Sequence, residues 1–269
     1  MNTTTLFRNL HQQAGQPLVL ANIWDVGGAK LAQSLGARAI ATTSAGVAWS
    51  LGYGDGNKLP LDELEQVVRR IVRAVRVPVT IDVESGYSDD AAAVPERLQP
   101  IFETGVAGIN IEDGADAPNG LARKIEALKR SMSSRGLDVF VNVRTDVYLR
   151  NLSPDEDKVG ETLRRANMYR SAGADGLFVP GIVDAAQIRE VAAGTALPLN
   201  VMSVPGLPRL QELAQLNVRR LSAGSAIAQA LWKRFEQLSQ QFLSEGDSAL
   251  LANDSMGYGQ LQALFAETR

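Results

Sequence analysis

The chain reads as an α/β protein of the (β/α)8 TIM-type barrel class, with an N-terminal capping helix and extra C-terminal helices. Three observations predict this. A helix, a small residue or glycine, and then an apolar run recur along the chain, as at Leu35-Gly-Ala-Arg-Ala-Ile, Thr104-Gly-Val-Ala-Gly-Ile and Ala172-Gly-Ala-Asp-Gly-Leu, each a helix-to-strand junction. Eight apolar runs alternate with amphipathic stretches, which favours parallel pairing. The length, 269 residues, suits a closed barrel as one unit. Residues 1–269 are read as a single domain, with a core at about 17–243 and a helical tail at 244–269. A doubly wound open sheet is the alternative, because alternation alone does not show closure.

In order, Thr5-Leu-Phe-Arg-Asn-Leu places apolar residues at 6, 7 and 10, the spacing of a short amphipathic helix capping one end of the fold. His11, the one histidine, is expected to be exposed at the end of that helix. After Gly15 and Pro17 come a strand at 18–23 and a helix at 27–35, which Gly36 closes at the usual helix stop. Further strands are expected at 38–43, 77–82, 106–112, 138–144, 175–180, 197–202 and 218–222. Helices are expected at 60–75, 89–104, 121–135, 154–172, 184–193 and 207–215, with 224–243 after the last strand. Gly246-Asp-Ser and Met256-Gly-Tyr-Gly break the tail, and Gln260-Leu-Gln-Ala-Leu-Phe reads as a last short helix. Apolar helices beyond a complete barrel find a partner on the same subunit or on another, and a homo-oligomer (dimer or tetramer) through them is expected.

Composition narrows the function classes. A net charge of -3 gives no case for nucleic-acid binding. The absence of cysteine excludes disulfides, thiolate metal sites and a cysteine nucleophile, and it fits a cytoplasmic location. No run of 18 apolar residues occurs, so no membrane span is expected, and Met1 to Gln13 lack a secretory pattern. No Gly-x-Gly-x-x-Gly follows the first strand, which argues against a dinucleotide enzyme.

In such barrels the loops after the strands' carboxyl ends form the site, and polar residues collect there. The ends read Asn22-Ile-Trp24-Asp25, Thr42-Thr43-Ser44-Ala45-Gly46, Asp82-Val-Glu84, Asn110-Ile-Glu112-Asp113, Asn142-Val-Arg144-Thr-Asp146 and Asn200-Val-Met-Ser203. Asp82 and Glu84 stand one residue apart, so strand alternation aims both carboxylates to one side. With Glu112 they form three acids beside one cation, Arg144. A hard divalent ion such as Mg2+, with Mn2+ as the second choice, takes carboxylate and water oxygens and keeps positions open for substrate. The plainer alternative is an acid set neutralised by arginine and backbone donors. A metal site here would suit a small 2-oxo acid whose keto oxygen gains charge as a bond breaks. Arg144 offers a forked donor to a carboxylate, and Thr43-Ser44-Ala45-Gly46 offers a nest of backbone amides. Asn200 is a further candidate substrate contact, whereas Lys124, where a helix should begin, is expected to be solvated.

These strings, together with Ser50-Leu-Gly-Tyr-Gly-Asp55-Gly, follow one another in an order that resembles the isocitrate lyase/phosphoenolpyruvate mutase superfamily over roughly residues 18 to 225. The resemblance implies a Mg2+-dependent barrel that cleaves or forms C–C or P–C bonds of 2-oxo or 2-hydroxy acids through an enolate. It implies Asp82 as the acid nearest the metal, with Glu84 and Glu112 holding it through water. Thr43, Ser44 and Ala45 would cradle the substrate carboxylate, Trp24 would wall the pocket, Arg144 would bind substrate, and Asp55 would orient or activate a group near the metal. The Lys-Lys-Cys-Gly-His loop of family lyases is replaced by Gly114-Ala-Asp-Ala-Pro-Asn-Gly-Leu-Ala-Arg-Lys124, and the sixth strand ends Phe178-Val-Pro-Gly181 without the histidine of the mutase branch. Glu84 stands where aspartate is commoner. The expected activity is C–C cleavage of an oxaloacetate-like acid. The alternatives are a phosphonopyruvate-type P–C mutase or hydrolase, and a degenerate barrel that binds oxo acids without converting them.

Overall fold

The computed structural model describes residues 2–253 and 255–266. Its strands are β1 (Leu18–Leu20), β2 (Ile40–Ala41), β3 (Val79–Asp82), β4 (Gly108–Glu112), β5 (Phe140–Arg144), β6 (Gly176–Val179), β7 (Leu199–Met202) and β8 (Arg220–Ser222). They pair in parallel in the order β1-β8-β7-β6-β5-β4-β3-β2. The ring closes between β1 and β2 through one parallel bridge, Ile23 to Thr42, where Ile23 N–H donates to the Ala41 carbonyl at 2.8 Å. This is the (β/α)8 barrel.

The helices are α1 (Thr3–Leu10), α2 (Val26–Ser34), α3 (Ser44–Ser50), α4 (Leu61–Ala74), α5 (Val94–Phe102), α6 (Pro118–Ser134), α7 (Lys158–Ser171), α8 (Ala185–Gly194), α9 (Leu210–Gln215), α10 (Ala226–Glu245), α11 (Ala249–Ala252) and α12 (Tyr258–Phe265). Each expected strand is present in shortened form, because the outer residues of the apolar runs lie beyond the paired ladder. Two helices were not expected: Thr43-Ser44-Ala45-Gly46, read as a nest of amides, opens α3, and Ala249–Ala252 forms α11 in the tail. None of the helices is long and apolar enough to cross a membrane among the described residues.

Alternation along the strands makes two cores. Val79, Ile81, Ile109, Ile111, Val141 and Val143 point outward and pack beneath the helices with Leu64, Val68, Leu98 and Ile125. Leu18, Leu20, Ala39, Ala41, Ala107 and Phe140 form a separate cluster that Phe7 and Leu10 of α1 complete, so α1 plugs the amino-terminal mouth. Asn2 caps this helix by accepting from Thr5 N–H at 3.0 Å. A Cβ on Gly108 would lie 2.8 Å from the Phe7 ring, so the plug requires glycine on β4.

His11 is not exposed. It is 2% accessible, its ring stacks on Phe140 with centroids 4.4 Å apart, and Nδ1 lies 2.8 Å from the Phe7 carbonyl. A carbonyl only accepts, so Nδ1 carries the proton and Nε2 is bare. Nε2 has no partner. Burial, then the charge of Arg220, pull the His11 pKa down to about 3.

The C-terminal helices divide. α12 folds back on α2, where Lys30 Nζ donates to the Leu264 carbonyl at 3.2 Å and sits 5.7 Å from the Phe265 ring centre. α10 buries only Ala228. Leu231, Trp232, Phe235, Phe242 and Leu243 on that helix are exposed.

His11 gives the fold an acid-sensitive plug. Unfolded histidine protonates below about pH 6.5, whereas the folded ring stays neutral to about pH 3. The unfolded state therefore binds more protons in that window, and the contribution is complete above it and lost as pH falls. Denaturant unfolding of His11→Phe against the unsubstituted chain should show this as an extra loss of about 3 kcal/mol in the unsubstituted chain between pH 7 and pH 4. Parallel stability profiles would contradict it.

Candidate functional site

The rim of the barrel at β3, β4 and β5 is set by strand register. Asp82 is paired with Asn110, and two residues further Glu112 is paired with Arg144. These side chains project from the carboxyl ends of neighbouring strands, the end at which barrel sites form.

Glu84 reaches the same place by a different route from the one its spacing suggests. β3 ends at Asp82, and Glu84 adopts a left-handed backbone with φ 49°, followed by Gly86 at 91° and Tyr87 at 57°. Glu84 N–H donates to Asp82 Oδ1 at 3.0 Å. Its own carboxylate accepts from Asn57 N–H, and Tyr87 O–H lies 3.4 Å from it. Non-glycine residues in this backbone region are uncommon and cost energy that the surroundings must offset. Asn57 also ties its side chain to Ser85 at 2.9 Å, which draws the exposed loop carrying Asp55 across the turn.

Lys124 is part of this arrangement and is not solvated. It is 7% accessible, and its Nζ donates to the Ser85 carbonyl at 2.9 Å. The first turns of α6 lie against the β3 turn, where the aliphatic stem is covered and the ammonium finds a backbone acceptor.

Arg144 is the hub of the rim. Nη1 pairs with Glu112 at 2.7 Å, while Nε and Nη2 clamp Asp146 at 2.6 and 2.9 Å. Asp146 is fully buried and also accepts from Arg150 at 2.9 Å. Asp113 supports this clamp from below by accepting from Asp146 N–H, Thr145 Oγ1, Arg165 Nη1 and the Tyr169 hydroxyl at 2.6 to 2.9 Å. Sequence reading quoted Asp146 and Asp113 but gave them no role. Alternation was the available signal: Asp113 follows Glu112, so it faces the helix layer where α7 supplies the donors.

At α3, Thr43 makes no side-chain cap, so the N–H groups of Ser44, Ala45 and Gly46 open a helix whose own carbonyls do not reach them. Ser44 Oγ lies 3.3 Å from Asp82 Oδ2, which puts this turn beside the acids. A Cβ on Gly46 would stand 2.7 Å from Thr43 Cγ2 and 3.1 Å from Trp24 Cβ. Trp24 packs there and joins Leu231, Trp232 and Phe235 around a hollow of about 300 Å3. Asn200 stands apart from the rim: it is fully buried inside the barrel, two residues below the end of β7, and accepts from Ser222 Oγ at 3.1 Å. A cleft of about 590 Å3 opens beside Glu112, lined also by Asp89, Asp116, Asn119, Arg123 and Lys124. A hollow of about 510 Å3 under α1 lies at the opposite mouth, away from the acids.

The rim is short of positive charge. Burial raises the Asp82 carboxyl, with the Asp55 charge adding to it and Arg144 opposing it. Glu84 is pushed up to about 7, first by burial and then by Asp82 and Asp55. Glu112 is pushed up to about 8 by burial, with Arg144 opposing and Asp82, Asp146 and Glu84 adding. Crowded carboxylates with these shifts, all hard oxygen donors, fit a hard cation. The described residues contain no group of three such side chains close enough to hold an ion together. An ion at this rim would therefore take one or two of these carboxylates directly and water for the rest of its shell.

Comparison with known proteins finds relatives over most of the chain. A family model described as phosphoenolpyruvate phosphomutase matches residues 7–243. The chain is 37% identical over 223 residues to an uncharacterized protein of Mycobacterium tuberculosis, covering 81% of each. It is 31% identical over 195 residues to an oxaloacetate decarboxylase of Rhodopseudomonas palustris, covering 70% of this chain and 67% of that one. A crystal structure of a candidate phosphonomutase from Burkholderia cenocepacia superposes with a TM-score of 0.84 at 40% identity, covering 89% of this chain and 99% of that one.

The Arg144 clamp should show in stability. Asp146→Ala leaves two guanidiniums without their shared acid, one of them partly buried, and should lower unfolding free energy by about 3–5 kcal/mol in urea titration. Arg150→Ala, at the exposed end of the same pair, should cost under about 1 kcal/mol. Equal losses would refute the hub.

Proposed function

This chain belongs to the phosphoenolpyruvate phosphomutase family, within the phosphoenolpyruvate mutase/isocitrate lyase superfamily, and on that premise we propose that it is a divalent-metal-dependent lyase of a small 2-oxo dicarboxylic acid resembling oxaloacetate. The observation that carries the proposal is the meeting of Asp82, Glu84, Glu112 and Arg144 at one rim, beside the opening amides of α3.

Asp82 is the acid proposed to hold Mg2+, or Mn2+, directly, with Glu84 and Glu112 acting through water. When bound, the ion would supply fixed positive charge for a keto oxygen. The Ser44, Ala45 and Gly46 amides then take the substrate carboxylate, as donors at a helix start do. Arg144 keeps one N–H on each of Nη1 and Nη2 beyond those already engaged, available to a second carboxylate. In decarboxylation the bond from the β-carbon to its carboxylate breaks, the electron pair moves onto the keto oxygen as an enolate, and carbon dioxide leaves. A proton then returns to the β-carbon. Asp55, on the loop pinned by Asn57, is proposed to order the water that delivers it, and Thr43 and Trp24 are proposed to support the α3 turn. Asn200, on the inner wall at β7, is proposed as a further polar contact for substrate from the barrel side.

Similarity to the Burkholderia phosphonomutase candidate favours a second reading, cleavage or rearrangement of a P–C bond. One screen separates the two: oxaloacetate and related 2-oxo acids against phosphonopyruvate, with Mg2+ or a chelator. The lyase reading expects carbon dioxide and pyruvate from oxaloacetate, and a fall in kcat/KM of at least about 100-fold with chelator or in Asp82→Ala. Turnover indifferent to both would sink it. Release of phosphate from phosphonopyruvate would select the second reading.

The bare apolar face of α10 is proposed to bury itself against another copy of this chain, since contiguous exposed apolar surface of that kind marks an interface. Sedimentation should give an oligomer for the unsubstituted chain and a monomer for Trp232→Glu with Phe235→Glu. A monomer in both cases would disprove the association.

A further inference from the structure

Barrel interiors are commonly filled by branched apolar side chains, yet above the apolar cluster under α1 the inner wall here carries a band of polar side chains. Thr80, Asn110, Asn142, Asn200, Arg220 and Ser222 are all buried on it. Arg220 is the largest of the fully buried side chains among the described residues. Register sets it level with Asn200 on β7 and Leu18 on β1, two residues below Ser222 at the end of β8.

Its partners are neutral. Nε donates to Ser222 Oγ at 3.2 Å and Nη2 donates to Asn110 Oδ1 at 3.3 Å, while Nη1 has no partner. Asn110 Oδ1 also accepts from Asn142 Nδ2 at 2.9 Å, and Asn110 is the ladder neighbour of Asp82. No carboxylate forms an ion pair with Arg220 among the described residues, and Asp82 is the acid whose charge acts on it. Burying an unpaired guanidinium costs several kcal/mol. A neutral amide could make the same two hydrogen bonds at far lower cost. The charge therefore needs a counterpart, and negative charge is concentrated directly above it.

We propose that Arg220 is a positioning residue of the active site: it holds Asn110 in the layer beneath Asp82, and its fixed positive charge strengthens binding of the enolate dianion formed at the rim. The proposal rests on the lyase reading above. The guanidinium touches no substrate. It acts through Asn110 and through its field, which the low dielectric of the barrel interior screens little. Held between β8 and β4, it does not reorient as charge develops above, the condition under which a fixed charge favours a transition state.

The test uses the full chain with Mg2+. Oxalate, a planar dianion shaped like the enolate and its carboxylate, is titrated by calorimetry, and oxaloacetate turnover is measured in parallel. Arg220→Met keeps the volume without the charge, and Arg220→Lys keeps the charge without the fork. Folded Arg220→Met should weaken oxalate binding at least about tenfold and lower kcat by more than it raises KM. Arg220→Lys should stay within about threefold of the unsubstituted chain in oxalate affinity. Oxalate affinity and kcat of Arg220→Met within twofold of the unsubstituted chain overturn the proposal. A loss beyond about tenfold in Arg220→Lys overturns it too, and that variant decides the matter if Arg220→Met does not fold. An unsubstituted chain that binds oxalate without converting oxaloacetate tells against the lyase reading alone, with the variants still judged by affinity. A chain that takes no oxalate overturns both.

Discussion

Crowding of like charge at the mouth of the barrel is the constraint on which the rest of this structure depends. Asp82, Glu84 and Glu112 come from two strand ends and one strained turn, with Asp55 carried over them on a loop. Left alone, such acids repel one another and take up protons. Arg144 offsets part of this through Glu112, but Asp146 claims two of its three nitrogens. The remaining imbalance makes the rim receptive to a hard cation, and the α3 amides beside Ser44 make it receptive to an anion. The proposed function rests on both needs being met by one metal-chelating oxo acid.

The supporting structure is arranged in layers under that rim. Asp113, with Arg165 and Tyr169 of α7, fixes the β5 turn so that the guanidinium of Arg144 is held in one orientation. Asn57 and Lys124 hold the β3 turn from two sides, and Glu84 keeps its left-handed backbone between them. At the opposite mouth α1 seals the barrel with Phe7, Leu10 and the neutral ring of His11, and the acids there, Asp138 and Asp175, are paired with Arg8 and Lys129. The crowded carboxylates and the α1 plug thus occupy opposite ends of the barrel. The polar wall between them, from Arg220 to Asn110, is the part of the barrel that belongs to neither an apolar core nor the exposed site.

Much of this is legible in the sequence. Helix, glycine and apolar strand recur in an alternation that favours parallel units, and strand-end position marked Asp82, Glu112 and Arg144 because register brings the ends of adjacent strands together. Glu84 was found for an incomplete reason: alternation stops where β3 stops, and a left-handed turn, invisible to a two-residue period, points its carboxylate. The α3 helix was hidden because it is only seven residues long and carries Gly46 in its first turn, a residue of low helix propensity whose place beside Trp24 leaves no room for a Cβ.

What the chain determined alone is the class of fold, the order of its units and the side chains that reach the rim, since these follow from local periodicity and from the alternation of strand faces. Tertiary structure decided which polar groups are buried. His11, Lys124, Asn200 and Arg220 are covered by elements distant in sequence: α1 against β5, the β3 turn against α6, and β7 and β8 against the barrel's own interior. Burial is a property of contacts between remote segments, and a charge or lone pair takes its energy from those contacts, so no local pattern carries it.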